Sequence, residues 1–308
     1  IPVIDIAPLR DGSDQASVAA ALHRASRDVG FLYVTGHGVA AEDLSAWRDA
    51  ALNFFRRTEA EKSAVCVSGA HRGWLAKGGA RMADDAAPDL KESFIWGYED
   101  AGGATPEDHA LRGPNRWPED ADLVAAAKTW FAAADGVARD LLRGFAIGLG
   151  LDEATFQRQT DQPMSRASFV YYPPQEADGD AERFGVGPHT DFGVLTVLAQ
   201  DDVGGLQVRD AAGDWVVAPP IPGALVVNVG DLLARWTNDV YRSTPHRVIN
   251  ASGRERLSLV MAYDPGPQTL IDPRAVFGAD VETDHEPITC GAYLEQRFAR
   301  AFAYRARS

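Results

Sequence analysis

A histidine and an aspartate two residues apart, His189 and Asp191, form the pattern in this sequence that is best suited to chemistry. They precede the apolar run 194–198, and on an extended strand residues i and i+2 point to the same face. An imidazole nitrogen and a carboxylate oxygen on one face can serve as two ligands for a divalent metal. A third ligand would complete a 2-His-1-carboxylate set, which leaves positions open for oxygen chemistry on iron. Taken alone, the pattern also fits a histidine that is hydrogen-bonded near a turn.

The candidate for the third ligand is His246, which opens a β-rich stretch and would therefore lie at a strand end, as His189 does. The remaining histidines occupy helical or loop settings without a partner at a useful spacing: His23, His37, His71, His109 and His285. Among the seven, His189 and His246 are the pair best placed to face one cavity.

A second polar pair, Arg256 and Ser258, stands on one face of a later predicted strand. The guanidinium offers a planar fork for a carboxylate, and the hydroxyl offers a further donor. Because a buried arginine is costly without an anionic partner, an inward-facing Arg256 would imply a bound carboxylate. The alternative is a surface salt bridge, with Glu255 or an acidic loop as the partner.

The elements that must position these residues are predicted from hydrophobic periodicity. Helical spacing predicts helices near 13–29, 42–57, 121–150 and 293–304. The apolar stripe of the helix at 121–150 is so wide that we expect it to be buried against a sheet. Short strands are predicted at 3–6, 31–34, 93–96, 168–172, 194–198, 206–208, 215–217, 224–229, 247–250 and 257–263. Many short strands separated by turn residues predict a double-sheet jelly roll or a barrel.

The chain is predicted to form one compact unit with two regions, an N-terminal α/β region (1–120) and a helix-backed core (121–308). Residues 63–120 are rich in Gly, Pro, Asp and Ala, and loops of this length inside a domain are often functional. Substrate-facing loops are therefore expected here, with a pocket wall formed by Arg72, Trp74, Phe94 and Trp96. The alternative is that these aromatic side chains simply cover the core.

Composition restricts the partners. The 308 residues carry a formal net charge of −14, which disfavours nucleic acid but leaves room for a local basic pocket that binds a small anion. No apolar run approaches the roughly 20 residues of a membrane helix, and the start lacks signal-peptide features. Two distant cysteines, Cys66 and Cys290, argue against a disulfide framework or a cysteine-rich metal site. We expect a cytoplasmic monomer or weak homodimer that acts on a small molecule.

Several motifs in a consistent order make the sequence resemble the iron(II)- and 2-oxoglutarate-dependent oxygenases of the isopenicillin N synthase-like family. The resemblance covers nearly the whole chain and includes both polar patterns, His189-Thr190-Asp191 with His246 and Arg256-Leu257-Ser258. Further similar motifs are FLYVTGHGV at 31–39, YYPP at 171–174, GGLQV at 204–208, NVGD at 228–231 and RWTND at 235–239.

The resemblance implies a mainly β fold with flanking helices, a distorted double-stranded β-helix of the cupin-like jelly-roll type. It implies Fe(II) bound by His189, Asp191 and His246. It implies that the co-substrate 2-oxoglutarate chelates the iron and is contacted by Arg256, Ser258 and Tyr172. Dioxygen would take the remaining iron position, and oxidative decarboxylation of 2-oxoglutarate to succinate and carbon dioxide would drive hydroxylation or desaturation of a small-molecule substrate.

Three alternatives remain open from the sequence. In a 2-oxoglutarate-independent oxidase of the isopenicillin N synthase type, Arg256 and Ser258 would hold a carboxylate of the substrate itself. A jelly-roll binding or sensor protein would keep the metal site without turnover. A zinc hydrolase can also use two histidines and one acid. Plant members often carry Asn at the position of Val170, so plant substrate specificity does not transfer to this chain.

Overall fold

The computed structural model describes residues 1–79, 89–158, 162–175 and 184–302. In these ranges the helices are α1 (Ala7–Arg10), α2 (Gln15–Asp28), α3 (Ala41–Phe55), α4 (Glu59–Ser63), α5 (Ala121–Gly148), α6 (Asp231–Trp236), α7 (Pro273–Phe277) and α8 (Cys290–Ala301). The strands are β1 (Val3–Asp5), β2 (Phe31–Thr35), β3 (Gly73–Leu75), β4 (Glu92–Gly97), β5 (Arg166–Tyr172), β6 (Val186–His189), β7 (Leu195–Gln200), β8 (Leu206–Arg209), β9 (Trp215–Val217), β10 (Leu225–Val229), β11 (His246–Val248), β12 (Arg256–Tyr263), β13 (Leu270–Ile271) and β14 (Ile288–Thr289).

Two sheets form the core. The main sheet has the order β1-β2-β10-β7-β12-β5-β4-β3, and the second sheet has the order β6-β11-β8-β9. Side chains from both sheets, such as Phe31, Val170, Leu206 and Val248, pack in one buried cluster, so the two sheets face each other. This double-sheet arrangement is the jelly roll that the short strands predicted.

Both faces of the main sheet are buried, and strand β12 shows how the sequence achieves this. Its odd-numbered residues, such as Leu257 and Leu259, pack in the cluster that the helices share, whereas Val260 belongs to the cluster between the sheets. Helix α5 covers the outer face, as its wide stripe predicted, and contacts β5, β7 and β12. The helix begins after Asp120, whose carboxylate accepts a hydrogen bond from the Leu123 N–H at 3.0 Å.

The N-terminal region is built into the main sheet. Strand β2 pairs with β10, and β1 pairs with β2. Strands β3 and β4 extend the opposite edge next to β5. Residues 1–120 therefore supply four strands of the same sheet that carries the clamp residues Arg256 and Ser258.

Some elements differ from the sequence prediction. Strands β3 and β6 and helix α6 were not predicted, because each is short and each contains or borders a glycine. Helix α8 begins three residues earlier than predicted, and its predicted end at 303–304 lies outside the described residues. None of the described helices is both long and apolar enough to cross a membrane.

Candidate functional site

Two histidines meet across a pair of antiparallel strands. His189 is the last residue of β6 and His246 is the first residue of β11, and the two are register partners. Residues directly opposite each other on antiparallel strands place their side chains side by side, and here the ring centroids are 4.2 Å apart. Both histidines therefore lie at strand ends, and both line one cavity between the sheets.

Each imidazole is oriented by its own strand. The Nδ1–H of His189 donates to the Gly187 carbonyl at 2.8 Å, and the Nδ1–H of His246 donates to the Thr244 carbonyl at 3.2 Å. Because a carbonyl can only accept, Nδ1 must carry the proton in both rings. The Nε2 lone pairs are thereby left for a metal ion, which is the usual arrangement for metal-binding histidines.

Asp191 completes a set of three possible ligands. Its Oδ1 lies 3.6 Å from His189 Nε2 and 3.8 Å from His246 Nε2, and the three ligand atoms lie within 4.8 Å of one another. Asp191 stands in the loop after β6, so the convergence does not arise from the predicted alternation along one strand. Two imidazoles and one carboxylate are the donor set that suits Fe(II).

The second carboxylate oxygen of Asp191 is held by two donors that the sequence patterns did not single out. Thr196 Oγ1 donates to Asp191 Oδ2 at 2.6 Å, and Asn228 Nδ2 donates to the same oxygen at 2.8 Å. Because both hydrogen bonds occupy Oδ2, the carboxylate presents Oδ1 to the histidines. The signal that could have revealed them is a polar residue within a largely apolar strand, Thr196 in β7 and Asn228 in β10.

The electrostatics keep Asp191 and His246 in their metal-binding forms. Burial alone would raise the pKa of Asp191, but the two imidazoles and the Thr196 hydroxyl together hold it well below its usual value. Burial lowers the pKa of His246 to about 4, and the neighbouring His189 acts in the same direction. At neutral pH the carboxylate is therefore ionised and the His246 imidazole neutral, as metal binding requires.

The loop that carries Asp191 is fixed by the junction of β10 and α6. The Asp231 N–H donates to the Asp191 carbonyl at 2.8 Å, and the Leu232 N–H donates to the Gly193 carbonyl at 3.0 Å. On the other side of the loop, the Val194 N–H donates to the buried carboxylate of Asp264 at 3.0 Å. The NVGD segment thus positions Asp191 through both a side chain and the backbone.

We predict that Thr196→Val weakens iron binding. Valine has the same shape as threonine but cannot donate to Asp191 Oδ2, and loss of such an outer partner typically costs about 10–100-fold in metal affinity. The measurement is the Fe(II) dissociation constant under anaerobic conditions, with turnover at saturating iron as a second readout. Thr129→Val on the exposed face of α5 is the matched control. Unchanged iron affinity in Thr196→Val would contradict this role.

We predict that Gly230→Ala destabilises the protein and displaces the Asp191 loop. A Cβ at this position would lie 2.1 Å from the Gly193 carbonyl oxygen. The contact is with backbone rather than with a flexible side chain, so relieving it would require the main chain to shift. We expect a loss of about 2 kcal/mol or more in the free energy of unfolding, together with weaker metal binding. Gly136→Ala is the control, because its Cβ would meet no atom within 4 Å and alanine favours the α5 helix. Equal stability of the two variants would contradict the close approach.

A buried cation lies on the neighbouring strand. Arg256 is 0% exposed, and its Nε donates to the Gly204 carbonyl at 2.5 Å. Neither Nη1 nor Nη2 finds a hydrogen-bond partner among the described residues, and the same holds for the Oγ of buried Ser258. The ring of Tyr172, the register partner of Arg256 on β5, lies 4.6 Å from the guanidinium carbon.

The alternative of a surface salt bridge for Arg256 is not what the structure shows. The carboxylate of Glu255 pairs with Arg56 and accepts a hydrogen bond from Tyr171 at 3.2 Å. A buried guanidinium with two open donor groups is costly by itself, so the site fits a bound carboxylate.

A cavity of about 210 Å³ lies between the sheets and is lined by His189, Asp191 and His246. Tyr172 lines it, as do Val260 and Ala262, which follow Arg256 and Ser258 on the same face of β12. Strand alternation therefore aims the guanidinium and the hydroxyl toward the same interior as the metal ligands.

The predicted pocket wall of Arg72, Trp74, Phe94 and Trp96 requires correction. Among the described residues, the cavity is lined instead by their neighbours His71, Leu75, Ser93 and Ile95. Phe94 and Trp96 point to the opposite face of β4, into the core. Trp74 donates to Glu92 at 2.7 Å, and the Arg72 guanidinium donates to backbone carbonyls, including that of Leu111 at 3.1 Å. The cavity-lining residues of this segment are therefore the sequence neighbours of the predicted ones.

Comparison with known protein families gives two matches. Residues 163–265 match the profile described as the 2OG-Fe(II) oxygenase superfamily. Residues 1–120 match the profile described as the N-terminal region of non-haem dioxygenase in morphine synthesis.

Individual relatives agree with these matches. The chain is 33% identical to the 2-oxoglutarate-Fe(II) type oxidoreductase hxnY of Emericella nidulans, over 99% of this chain and 92% of that protein. It is 32% identical to the homoarginine-6-hydroxylase 2-ODD-C23 of Glycine max, over 89% of this chain and 88% of the relative. Among solved structures, a full-length Neurospora crassa protein in complex with alpha-KG and thymine superimposes with a TM-score of 0.86 at 29% identity, covering 97% and 96% of the two chains.

Proposed function

This chain belongs to the 2-oxoglutarate–Fe(II) oxygenase superfamily and is an Fe(II)/2-oxoglutarate-dependent oxidoreductase. We propose which of its residues bind the iron and which bind 2-oxoglutarate. His189, Asp191 and His246 hold the iron, and Arg256 and Ser258 hold the distal carboxylate of 2-oxoglutarate. The observation that carries the second assignment is the fully buried guanidinium with open Nη donors on the strand face that lines the iron cavity.

The bound iron supplies a template on which dioxygen and 2-oxoglutarate react, so that substrate oxidation is coupled to release of succinate and carbon dioxide. The protein contributes orientation. Thr196 and Asn228 fix the rotation of the Asp191 carboxylate, and the backbone carbonyls of Gly187 and Thr244 fix the two imidazole rings. Each ligand group is therefore held in one orientation toward the metal that it would bind.

Arg256 and Ser258 determine where the co-substrate lies. The guanidinium presents its Nη donors as a planar fork, and the Ser258 hydroxyl adds a third donor on the same strand face. Tyr172 flanks this fork with its ring and packs in the buried cluster between the two sheets. A carboxylate held there would lie on the strand face whose next residues, Val260 and Ala262, line the cavity of the metal ligands.

The buried, apolar surroundings protect the reaction. Side chains such as Val186, Leu206 and Val248 seal the space between the sheets beside the metal ligands. Exclusion of bulk water strengthens the charge interactions of Arg256 and limits side reactions of the oxidant. The substrate is then a small molecule that enters this cavity and is hydroxylated or desaturated.

We further propose that the enzyme acts as a cytoplasmic monomer or weak homodimer. One chain supplies all three candidate metal ligands and both clamp residues, so a partner is not needed to complete the site. Cys66 and Cys290 are both free thiols, which suits a reducing compartment.

The proposal is tested by the stoichiometry of turnover. Fe(II)-loaded protein is incubated with 2-oxoglutarate and a panel of small molecules, and oxygen uptake, succinate and oxidised product are quantified together. We expect oxygen uptake to need both iron and 2-oxoglutarate, and one succinate to form per product.

Three results would contradict the proposal. Product formation without succinate would indicate an oxidase that uses the clamp for its own substrate. Ligand binding without any oxygen uptake would indicate a sensor or binding protein. Hydrolysis that proceeds without oxygen on a zinc-loaded protein would indicate a zinc hydrolase.

A further inference from the structure

Lys91 brings a cationic side chain to the wall of the iron cavity. It directly precedes strand β4, and Lys91, Ser93 and Ile95 alternate with Glu92 and Phe94 so that the first three line the cavity. The Lys91 side chain is only 13% exposed. The proposed binding of iron and 2-oxoglutarate does not use this group.

The Lys91 ammonium has N–H donors that are not used in a hydrogen bond to any described residue. Its one ion-pair contact among the described residues is with Asp89 Oδ2 at 3.4 Å, and no hydrogen bond joins them. By comparison, the buried ammonium of Lys62 donates to Glu92 at 2.6 Å and to the Phe55 carbonyl at 3.0 Å. The Lys91 ammonium, on the cavity wall and with no hydrogen bond to a described residue, can therefore donate to a ligand that supplies acceptors.

Asp89 holds Lys91 beside the metal ligands. The carboxylate is 1% exposed, and its Oδ1 accepts a hydrogen bond at 3.1 Å from the Gly187 N–H, two residues before His189. A ligand group bound by Lys91 would therefore lie in the same cavity that His189, Asp191 and His246 line.

The other charged groups on the cavity wall are either paired with an opposite charge or assigned to the metal. Arg166 lines the cavity but pairs with buried Asp264 at 3.2 Å. Within the part of the chain that the structure describes, Asp191 is the one carboxylate on the cavity wall, and it faces the metal position. The described wall thus offers donors to a substrate but no acidic group for a cationic one.

The rest of the wall is apolar and includes a cluster of three phenylalanines. Phe192, Phe298 and Phe302 line the cavity, with ring centroids 5.9 Å apart for Phe192 and Phe298 and 5.1 Å apart for Phe298 and Phe302. The His71 ring meets the edge of Phe298 at 4.8 Å. Such a surface favours an apolar or planar body rather than a polar chain.

We propose that the substrate is a small organic acid with an apolar or ring-shaped body, and that Lys91 binds its carboxylate while the aromatic cluster of Phe192, Phe298 and Phe302 holds the body. This inference rests on the proposed function, because it places the substrate beside an iron–2-oxoglutarate complex. It sets the chain apart from a hydroxylase of a basic amino acid, even though homoarginine-6-hydroxylases are among its relatives.

The test is equilibrium binding by calorimetry to protein loaded with redox-inert Zn(II) and saturated with 2-oxoglutarate, which keeps probe acids from Arg256. The probes are hexanoate, phenylacetate, 4-methylbenzoate and 1-naphthoate, each with its neutral amide, and phenethylamine as a cation. We expect at least one acid to bind about tenfold or more tightly than its amide, as a charge-assisted hydrogen bond predicts, and the cation to bind least.

The variants Lys91→Met and Lys91→Arg assign the effect to this side chain. Lys91→Met should remove the preference for the acid while leaving 2-oxoglutarate affinity unchanged, and Lys91→Arg should keep most of the preference. Lys77→Met, at an exposed lysine, is the matched control and should behave as wild type. A thermal melt of each variant establishes that it is folded.

The proposal is overturned if no acid of the panel binds, if acids and amides bind equally, or if the cation binds best. It is also overturned if Lys91→Met weakens 2-oxoglutarate instead of the acid, because Lys91 would then serve the co-substrate. Failure of wild-type protein to bind 2-oxoglutarate at all would contradict the proposed function itself, and this is measured first.

Discussion

Asp191→Ala is expected to lose iron binding and to reduce turnover by at least about 1000-fold, which corresponds to ~4 kcal/mol of transition-state stabilisation. The variant removes the one carboxylate among three ligand atoms that lie within 4.8 Å of one another. It also leaves Thr196 and Asn228 without the oxygen to which they donate. Two imidazoles alone hold Fe(II) weakly, so metal content after desalting and oxygen uptake should fall together.

The control for this prediction is Asp202→Ala. The Asp202 side chain is 78% exposed and pairs with the exposed Arg254, and a surface ion pair of this kind contributes little. It should retain wild-type iron content and turnover. An Asp191→Ala protein that keeps stoichiometric iron and full turnover would refute the assignment of the metal centre.

Arg256→Met is expected to separate co-substrate binding from stability. Methionine fills the same space without a charge, so the KM for 2-oxoglutarate should rise about 30-fold or more, the cost of removing one partner of a buried charge pair. The protein without 2-oxoglutarate should keep its stability within about 1 kcal/mol, because an uncompensated buried cation has been removed. The measurements are the KM for 2-oxoglutarate and the free energy of unfolding by urea, with and without 2-oxoglutarate.

Two comparisons sharpen this result. Arg254→Met, two residues away and 60% exposed, should change neither quantity. Arg256→Lys should give an intermediate KM, since an ammonium cannot reproduce the planar fork. If Arg256→Met raises the KM for the substrate rather than for 2-oxoglutarate, the clamp holds a substrate carboxylate and the oxidase alternative is correct.

Residue type and spacing singled out the polar groups that the structure brings together, although each pattern alone also fitted another interpretation. His189 and His246 stand out because both flank predicted strands, and Arg256 and Ser258 stand out because a charged residue is rare in an apolar strand. Helix α5 was predictable for a similar reason, since an apolar stripe of that length at helical spacing must be buried against another element. These features can be recognised in the sequence because a polar residue contrasts with its apolar neighbours and because the apolar stripe of α5 extends over many turns.

The rest depends on tertiary contacts that the sequence does not specify. Thr196 and Asn228 are polar residues within largely apolar strands, and their role emerges only when β7 and β10 lie beside the Asp191 loop. In β4 the predicted pocket residues, Phe94 and Trp96, were one position out of phase, because a strand buried on both faces carries apolar residues throughout. Helix α6 has six residues, too few for periodicity to be recognised.

The central claim is that the His189, Asp191 and His246 centre and the Arg256 clamp together bind one molecule of 2-oxoglutarate on iron. The most direct measurement is the visible charge-transfer absorption that develops when 2-oxoglutarate is added anaerobically to Fe(II)-loaded protein. We predict a saturable band for wild type, no band for Asp191→Ala, and a band for Arg256→Met only at much higher 2-oxoglutarate. A folded wild-type protein that binds Fe(II) but gives no band, or an Arg256→Met titration that matches wild type, would contradict this claim.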